Sequence, residues 1–172
     1  MKLLDRYQIE AAFDALNHRM SIFELKAQIY IVGGAVMCLI HNARPSTKDV
    51  DAWFTESSSI REATRQVAEE LNLPIDWLND AAKAFIPQRA GFELWKSLSH
   101  LEILVADLRT LFAMKCAAAR TQEDADDIRF LSDVMKLKCA DEALSIVLEY
   151  YPETLLPVRA RLLLEELFDD GP

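Results

Sequence analysis

The chain has 172 residues, 51% hydrophobic and 27% charged, with only four glycines and six prolines, which is enough chain for a core and argues against a long low-complexity segment. Its net charge of -9 repels phosphate backbones at long range and so disfavours non-specific nucleic-acid binding, leaving contact through a local basic patch or a bound metal. The longest apolar run, Ile29 to Ile40, is too short to span a bilayer, and "MKLLDRYQIE" lacks the pattern of a signal peptide, so the expectation is a cytoplasmic protein.

Apolar residues at helical spacing (Ile9, Ala12, Phe13, Leu16, Met20) predict a first helix from about Asp5 to Arg19. "AQIYIVGG" is β-branched and aromatic and stops at two glycines, which predicts a strand; "GAVMCLIHNA" resumes as a helix, and "RPSTK" predicts a loop. "DVDAWF" predicts a strand, followed by a capped helix with a stripe through Ala63, Val67, Ala68 and Leu71. "LPIDWL" predicts a short strand and "NDAAKAFIP" a helical turn. "FELWKSLSHLEILVAD" predicts two strands around Ser97 to His100. From Asp107 onward every segment reads as helix, with Thr121 and Asp124 in a partial capping-box spacing. The pattern is α/β or α+β: a strand-bearing part to residue 106 and a helical part over 107–172, with no linker between them.

Side chains alternate along a strand, so Asp49 and Asp51 share a face while Val50 and Ala52 point the other way. Two carboxylates so close repel, and burying both without a cation costs several kcal/mol or forces one to take a proton. A divalent cation removes that difficulty, and Mg2+ combines a few carboxylate oxygens with substrate phosphates. Gly33 and Gly34 end the preceding strand and open a helix, where backbone N–H groups favour a phosphate.

The stretch "IVGGAVMCLI…RPSTKDVDAWF" resembles the nucleotidyltransferase superfamily typified by DNA polymerase beta, whose signature is a glycine pair at a helix start followed by D-x-D on a strand. The nearest look-alikes are small bacterial nucleotidyltransferase-like proteins, including toxins of type IV toxin–antitoxin pairs. "LPIDWLNDAAKAFIP" (Leu73 to Pro87) and "LFAMKCAAARTQEDADDIRFL" (Leu111 to Leu131) look like segments of one bacterial subgroup, the second like its helical Lys…Asp region. The resemblance implies a small mixed sheet with flanking helices over residues 1–106 and a helical C-terminal part, 107–172, packed on it.

The resemblance also implies roles. Gly33 and Gly34 sit against a triphosphate; Asp49 and Asp51 ligate Mg2+; Arg44, Thr47 and Lys48 touch the nucleotide. The third carboxylate of the superfamily falls on Asp76, with Asp80 and Glu102 as the alternatives. Lys115 reaches a phosphate or transition-state oxygen, and Asp127 orients it or the acceptor. The implied activity is metal-dependent transfer of a nucleotidyl group from an NTP to a hydroxyl on tRNA, a protein or a small molecule, as a toxin or effector with an antitoxin partner and no membrane. This sequence departs from the pattern at Pro45, in the connecting loop, and at Lys48, where an apolar residue usually precedes the first aspartate.

Two readings compete with an enzyme: a catalytically inactive fold that binds a partner protein, and an interaction domain whose Asp49 and Asp51 merely face solvent. Residue by residue there are plainer readings too. Trp53, Phe54, Trp77, Phe92 and Trp95 read as core rather than base-stacking platforms. Lys115 reads equally as a snorkelling lysine at a helix edge. Asp124 and Asp126 read as first-turn acids that favour the helix dipole. Cys38, Cys116 and Cys139 have no metal or disulfide spacing and read as small buried or half-buried thiols.

Overall fold

The computed structural model describes residues 2–55, 57–119 and 122–169. It forms two units, residues 1–84 with 92–106, and residues 85–91 with 107–172.

In the first unit, Asp5 ends strand β1 (Leu4–Asp5) and caps helix α1 (Arg6–Ile22). Its carboxylate accepts the Gln8 N–H at 2.8 Å, and the Gln8 side chain accepts the Asp5 N–H at 3.0 Å, which satisfies two donors that a helix start leaves open. The helix runs three residues past the expected Arg19, and Ile9, Ala12, Phe13, Leu16 and Met20 are all buried on one face.

Strand β2 (Ala27–Ile31) carries β-branched residues alternating with Gln28 and Tyr30. Gly33, at φ +68°, turns the chain into helix α2 (Gly34–Leu39). That helix is only six residues long, shorter than "GAVMCLIHNA" suggests, because Asn42 takes a left-handed conformation and the chain turns away. The expected loop "RPSTK" instead contains strand β3 (Ser46–Thr47), which pairs antiparallel with β1. Two-residue strands carry no periodicity, so the sequence offered no signal for this pairing.

Strand β4 (Val50–Phe54) follows, then helix α3 (Ser57–Glu70), which packs on α1. The strand expected over "LPIDWL" shrinks to β5 (Leu78–Asn79). Pro74 has no N–H for a ladder, and the Trp77 N–H closes a turn on the Pro74 carbonyl at 3.0 Å, placing the indole in the core. A 3-10 turn (Ala81–Phe85) leads out of β5. The long hairpin is as expected: β6 (Phe92–Ser97) and β7 (Leu101–Ala106) pair antiparallel, with a bulge at Trp95.

The five longer-range strands form one mixed sheet in the order β5-β4-β2-β7-β6, with β2 antiparallel to β4 and parallel to β7. One face is apolar: Ile29, Ile31, Val50, Ala52, Phe54, Ile103 and Val105 are buried. The other face carries Gln28, Tyr30, Asp51, Trp53 and Glu102. Of the tryptophans and phenylalanines read as core, Phe54 and Trp77 are buried, whereas Trp53, Phe92 and Trp95 stay partly exposed. Tyr30 stacks on Trp53 with ring centroids 4.7 Å apart.

The second unit holds helices α4 (Leu108–Ala118), α5 (Gln122–Met135), α6 (Ala140–Tyr150) and α7 (Val158–Asp169). Asp107 caps α4 by accepting the Thr110 N–H at 2.7 Å. Thr121, read as half of a capping box, lies outside the described residues. Cys38 and Cys116 are buried, and burial pushes both thiols up. Cys139 departs from the expectation and is exposed, because it stands at the N-terminal cap of α6 rather than on a packed face. Among the described residues, no helix is long and apolar enough to cross a membrane.

Candidate active site

The site is built on the end of β2 and the start of β4. The Val32 N–H donates to the Asp51 carbonyl at 2.9 Å, extending the ladder past Ile31↔Ala52 and bringing the glycine turn beside Asp51. The space beside Gly33 is taken by Asp51, and the space beside Gly34 by Thr47 and Arg44. A Cβ on Gly33 would lie 3.3 Å from Asp51 Oδ2. One on Gly34 would lie 2.8 Å from Thr47 Oγ1 and 3.3 Å from Arg44 Nη1. Five expected site residues, Gly33, Gly34, Arg44, Thr47 and Asp51, therefore meet at one turn.

The loop that brings Arg44 and Thr47 there is held at several points. Leu4 pairs with Thr47 and Asp5 with Ser46. The buried Thr47 hydroxyl donates to the Asp49 carbonyl at 3.2 Å, so Thr47 supports the loop. The Val50 N–H donates to the Trp77 carbonyl at 2.7 Å. Lys48 is exposed beside this loop, and its charge acts on Asp49.

Asp49 is half-buried just before β4, and Asp51 is half-buried within it. Burial pushes the Asp49 carboxyl above its ordinary range, and the charges of Asp51 and then Asp76 push it further. A hydrogen bond from Asn79 and the charge of Lys48 act the other way. The pair is thus electrostatically coupled, as strand alternation implies.

A raised pKa has a definite sign for stability. Between the ordinary carboxyl value of 3.8 and its higher folded value, the native state binds more protons than the unfolded chain. Stability therefore falls as pH rises through that window, and the ionised Asp49 costs stability at neutral pH. Asp49→Asn keeps the shape and removes the charge. In the presence of a chelator it is expected to raise Tm at pH 7, by about 2–4 °C for each kcal/mol relieved in a chain of this size. The gain should shrink as pH is lowered toward 4. Thermal melts of both proteins across that range check it, and a lower Tm at pH 7 would refute it.

The expected third carboxylate behaves differently. Asp76 lies exposed in the turn before β5 and reaches Asp49 through its field. Among the described residues, no group of three or more His, Cys, Asp or Glu side chains is disposed to hold a metal ion. Asp80 pairs with Arg61. Glu102 stands opposite Gln28 and accepts its side-chain N–H at 2.7 Å, whereas Ile31, at the glycine end of β2, stands opposite Val105. Three strand residues put Glu102 about 10 Å along the sheet from that end.

Lys115 and Asp127 belong to the helical unit. The Lys115 ammonium, 11% exposed, lies 2.7 Å from Asp127 Oδ2 and 3.4 Å from Asp124 Oδ1. Asp127, a turn further into α5 than Asp124, is 6% exposed at its side chain. The lysine is therefore neither snorkelling nor at a helix edge: it forms a largely buried ion pair joining α4 to α5.

One residue at the site was missed. Asn79, on β5 directly opposite Asp51, donates its side-chain N–H to Asp49 Oδ2 at 3.2 Å. It lies one residue past the strand expected over "LPIDWL", and its role comes from the β4–β5 register, for which the sequence carried no signal.

No family model matches the chain, and neither a curated protein nor a solved structure matches it.

Proposed function

We propose that this protein binds a divalent cation through Asp49 and Asp51 and transfers a nucleotidyl group from an NTP to a hydroxyl acceptor. The observation that carries the reading is the packing of Asp51 and Arg44 against the adjacent glycines Gly33 and Gly34. A carboxylate lies where a β-carbon on Gly33 would intrude, and a guanidinium where one on Gly34 would. The residues suit a cation because Asp49, whose pKa is raised first by burial and then by the charge of Asp51, loses that repulsion when a cation lies between the two carboxylates. Mg2+ at such a pair supplies positive charge to phosphoryl oxygens in the transition state. Arg44 offers planar, permanently charged donors to the same phosphate. The side-chain-free glycine turn permits close approach, and β3 keeps the Arg44 loop in place. Tyr30 and Trp53 line the same sheet face two residues away.

A second reading keeps the binding and drops the transfer. It draws on the absence, among the described residues, of a third acidic side chain grouped with Asp49 and Asp51.

Thermal melts with Mg2+ or Mn2+ and each NTP separate the readings. A ligand specific to the folded state adds about 2.7 kcal/mol at a hundred times its Kd. Wild type is expected to shift upward with cation plus one or more NTPs, and Asp49→Ala/Asp51→Ala is expected not to shift. Incubation with α-labelled NTP and cell extract then identifies the acceptor: label on RNA, protein or a small molecule supports transfer. A shift without labelling supports the binding module, and no shift in wild type removes both readings.

A further inference from the structure

We infer that Asn79 is a positioning residue for the cation site, an amide that holds the Asp49 carboxylate in its ligating orientation; this rests on the cation reading above. The parallel register of β4 and β5 sets Asn79 opposite Asp51. The amide has two different ends, and each has a partner that accepts only one assignment. The Ala81 backbone N–H, a donor, lies 3.0 Å from Oδ1. The Asp49 carboxylate Oδ2, an acceptor, lies 3.2 Å from Nδ2. A flipped amide would set donor against donor at one end and acceptor against acceptor at the other, so the orientation is determined by its neighbours. Ala81 also opens the 3-10 turn, and the Asn79–Ala81 bond is the side-chain-to-backbone link that Asn commonly makes at such a turn.

The result is a rigid arm. The turn fixes the amide, the amide fixes one oxygen of Asp49, and the Thr47 hydroxyl fixes the Asp49 carbonyl from the other side at 3.2 Å. One Asp49 oxygen is committed to the amide, and the other becomes the cation ligand. Neutral Asn also spares the pair a third negative charge at the position directly opposite Asp51. The two carboxylates are thus supported by a neutral amide.

The test is Mn2+ binding to the full chain, followed by the electron paramagnetic resonance of free Mn2+, for wild type, Asn79→Ala, Asp49→Asn and the double variant. Partners that orient a ligating side chain commonly control affinity by 10–100-fold, so Asn79→Ala is expected to weaken wild-type binding by at least about tenfold. In the Asp49→Asn background, where the oriented carboxylate is gone, the same substitution is expected to change affinity less than about twofold, the signature of action through Asp49. Equal weakening in both backgrounds would mean that Asn79 acts by holding the turn, and would overturn the inference. So would wild-type affinity in Asn79→Ala. Wild type that binds no Mn2+ would overturn the cation reading and the inference with it, an outcome distinct from the other two.

Discussion

Lys115→Met is expected to destabilise the protein by about 3–5 kcal/mol, the cost of taking the ammonium away from a buried carboxylate. Asp127 has only 6% of its side chain exposed, and Lys115 Nζ at 2.7 Å is its close cation. Methionine preserves the stem volume and the packing along α4, so most of the loss comes from the missing ion pair rather than from a cavity. The double variant Lys115→Met/Asp127→Leu removes both charges and is expected to recover much of the loss, because a buried ion pair and a well-packed apolar pair are often close in free energy. Chemical denaturation of the three proteins checks this. A single variant within about 1 kcal/mol of wild type would show that water or another hydrogen-bond donor already satisfies the Asp127 carboxylate.

Gly33→Ala is expected to cost about 1–3 kcal/mol through the backbone alone. Gly33 has φ +68° and ψ -144°, a region that side chains all but forbid. The new methyl would also stand 3.3 Å from Asp51 Oδ2, tighter than ordinary contact, so the carboxylate must move. Two losses are therefore coupled: a lower denaturation midpoint and a displaced cation ligand. The expected result is a measurable fall in stability together with weaker Mn2+ binding. Stability lost with binding intact would place the cation away from Asp51.

What could be read from the sequence divides along the range of the interactions concerned. The D-x-D face was legible because alternation is local: Val50 and Ala52 buried, with Asp51 turned away, needs nothing beyond period two. The Gly33 turn was legible because only glycine accepts its conformation. The β6–β7 hairpin was legible because both strands are six residues long. The short pairings were not. β3 exists because Leu4 and Asp5 arrive from more than forty residues away, and β5 is trimmed because Pro74 and the buried Trp77 govern the turn before it. Asn79 went unnoticed for the same reason: its role comes from its register against Asp51, not from its neighbours in the chain. Asp127 was named beside Lys115 from the sequence, and the two do pair, but their burial as an ion pair between α4 and α5 depends on how the two helices pack.

The pairing of Leu4 with Thr47 and of Asp5 with Ser46 has a consequence for folding. Leu4 and Asp5 precede β2 and α2 in the chain, whereas their strand partners Thr47 and Ser46 follow them. Until they pair, the Arg44 loop has no edge to lie against, so its final shape waits on a contact that closes a loop of some forty residues and carries the entropy of that closure. The apolar sheet and helix faces can assemble without it. The candidate site is thus fastened by a clasp more than forty residues upstream of it, and whatever occupies that clasp governs how firmly Arg44 is presented.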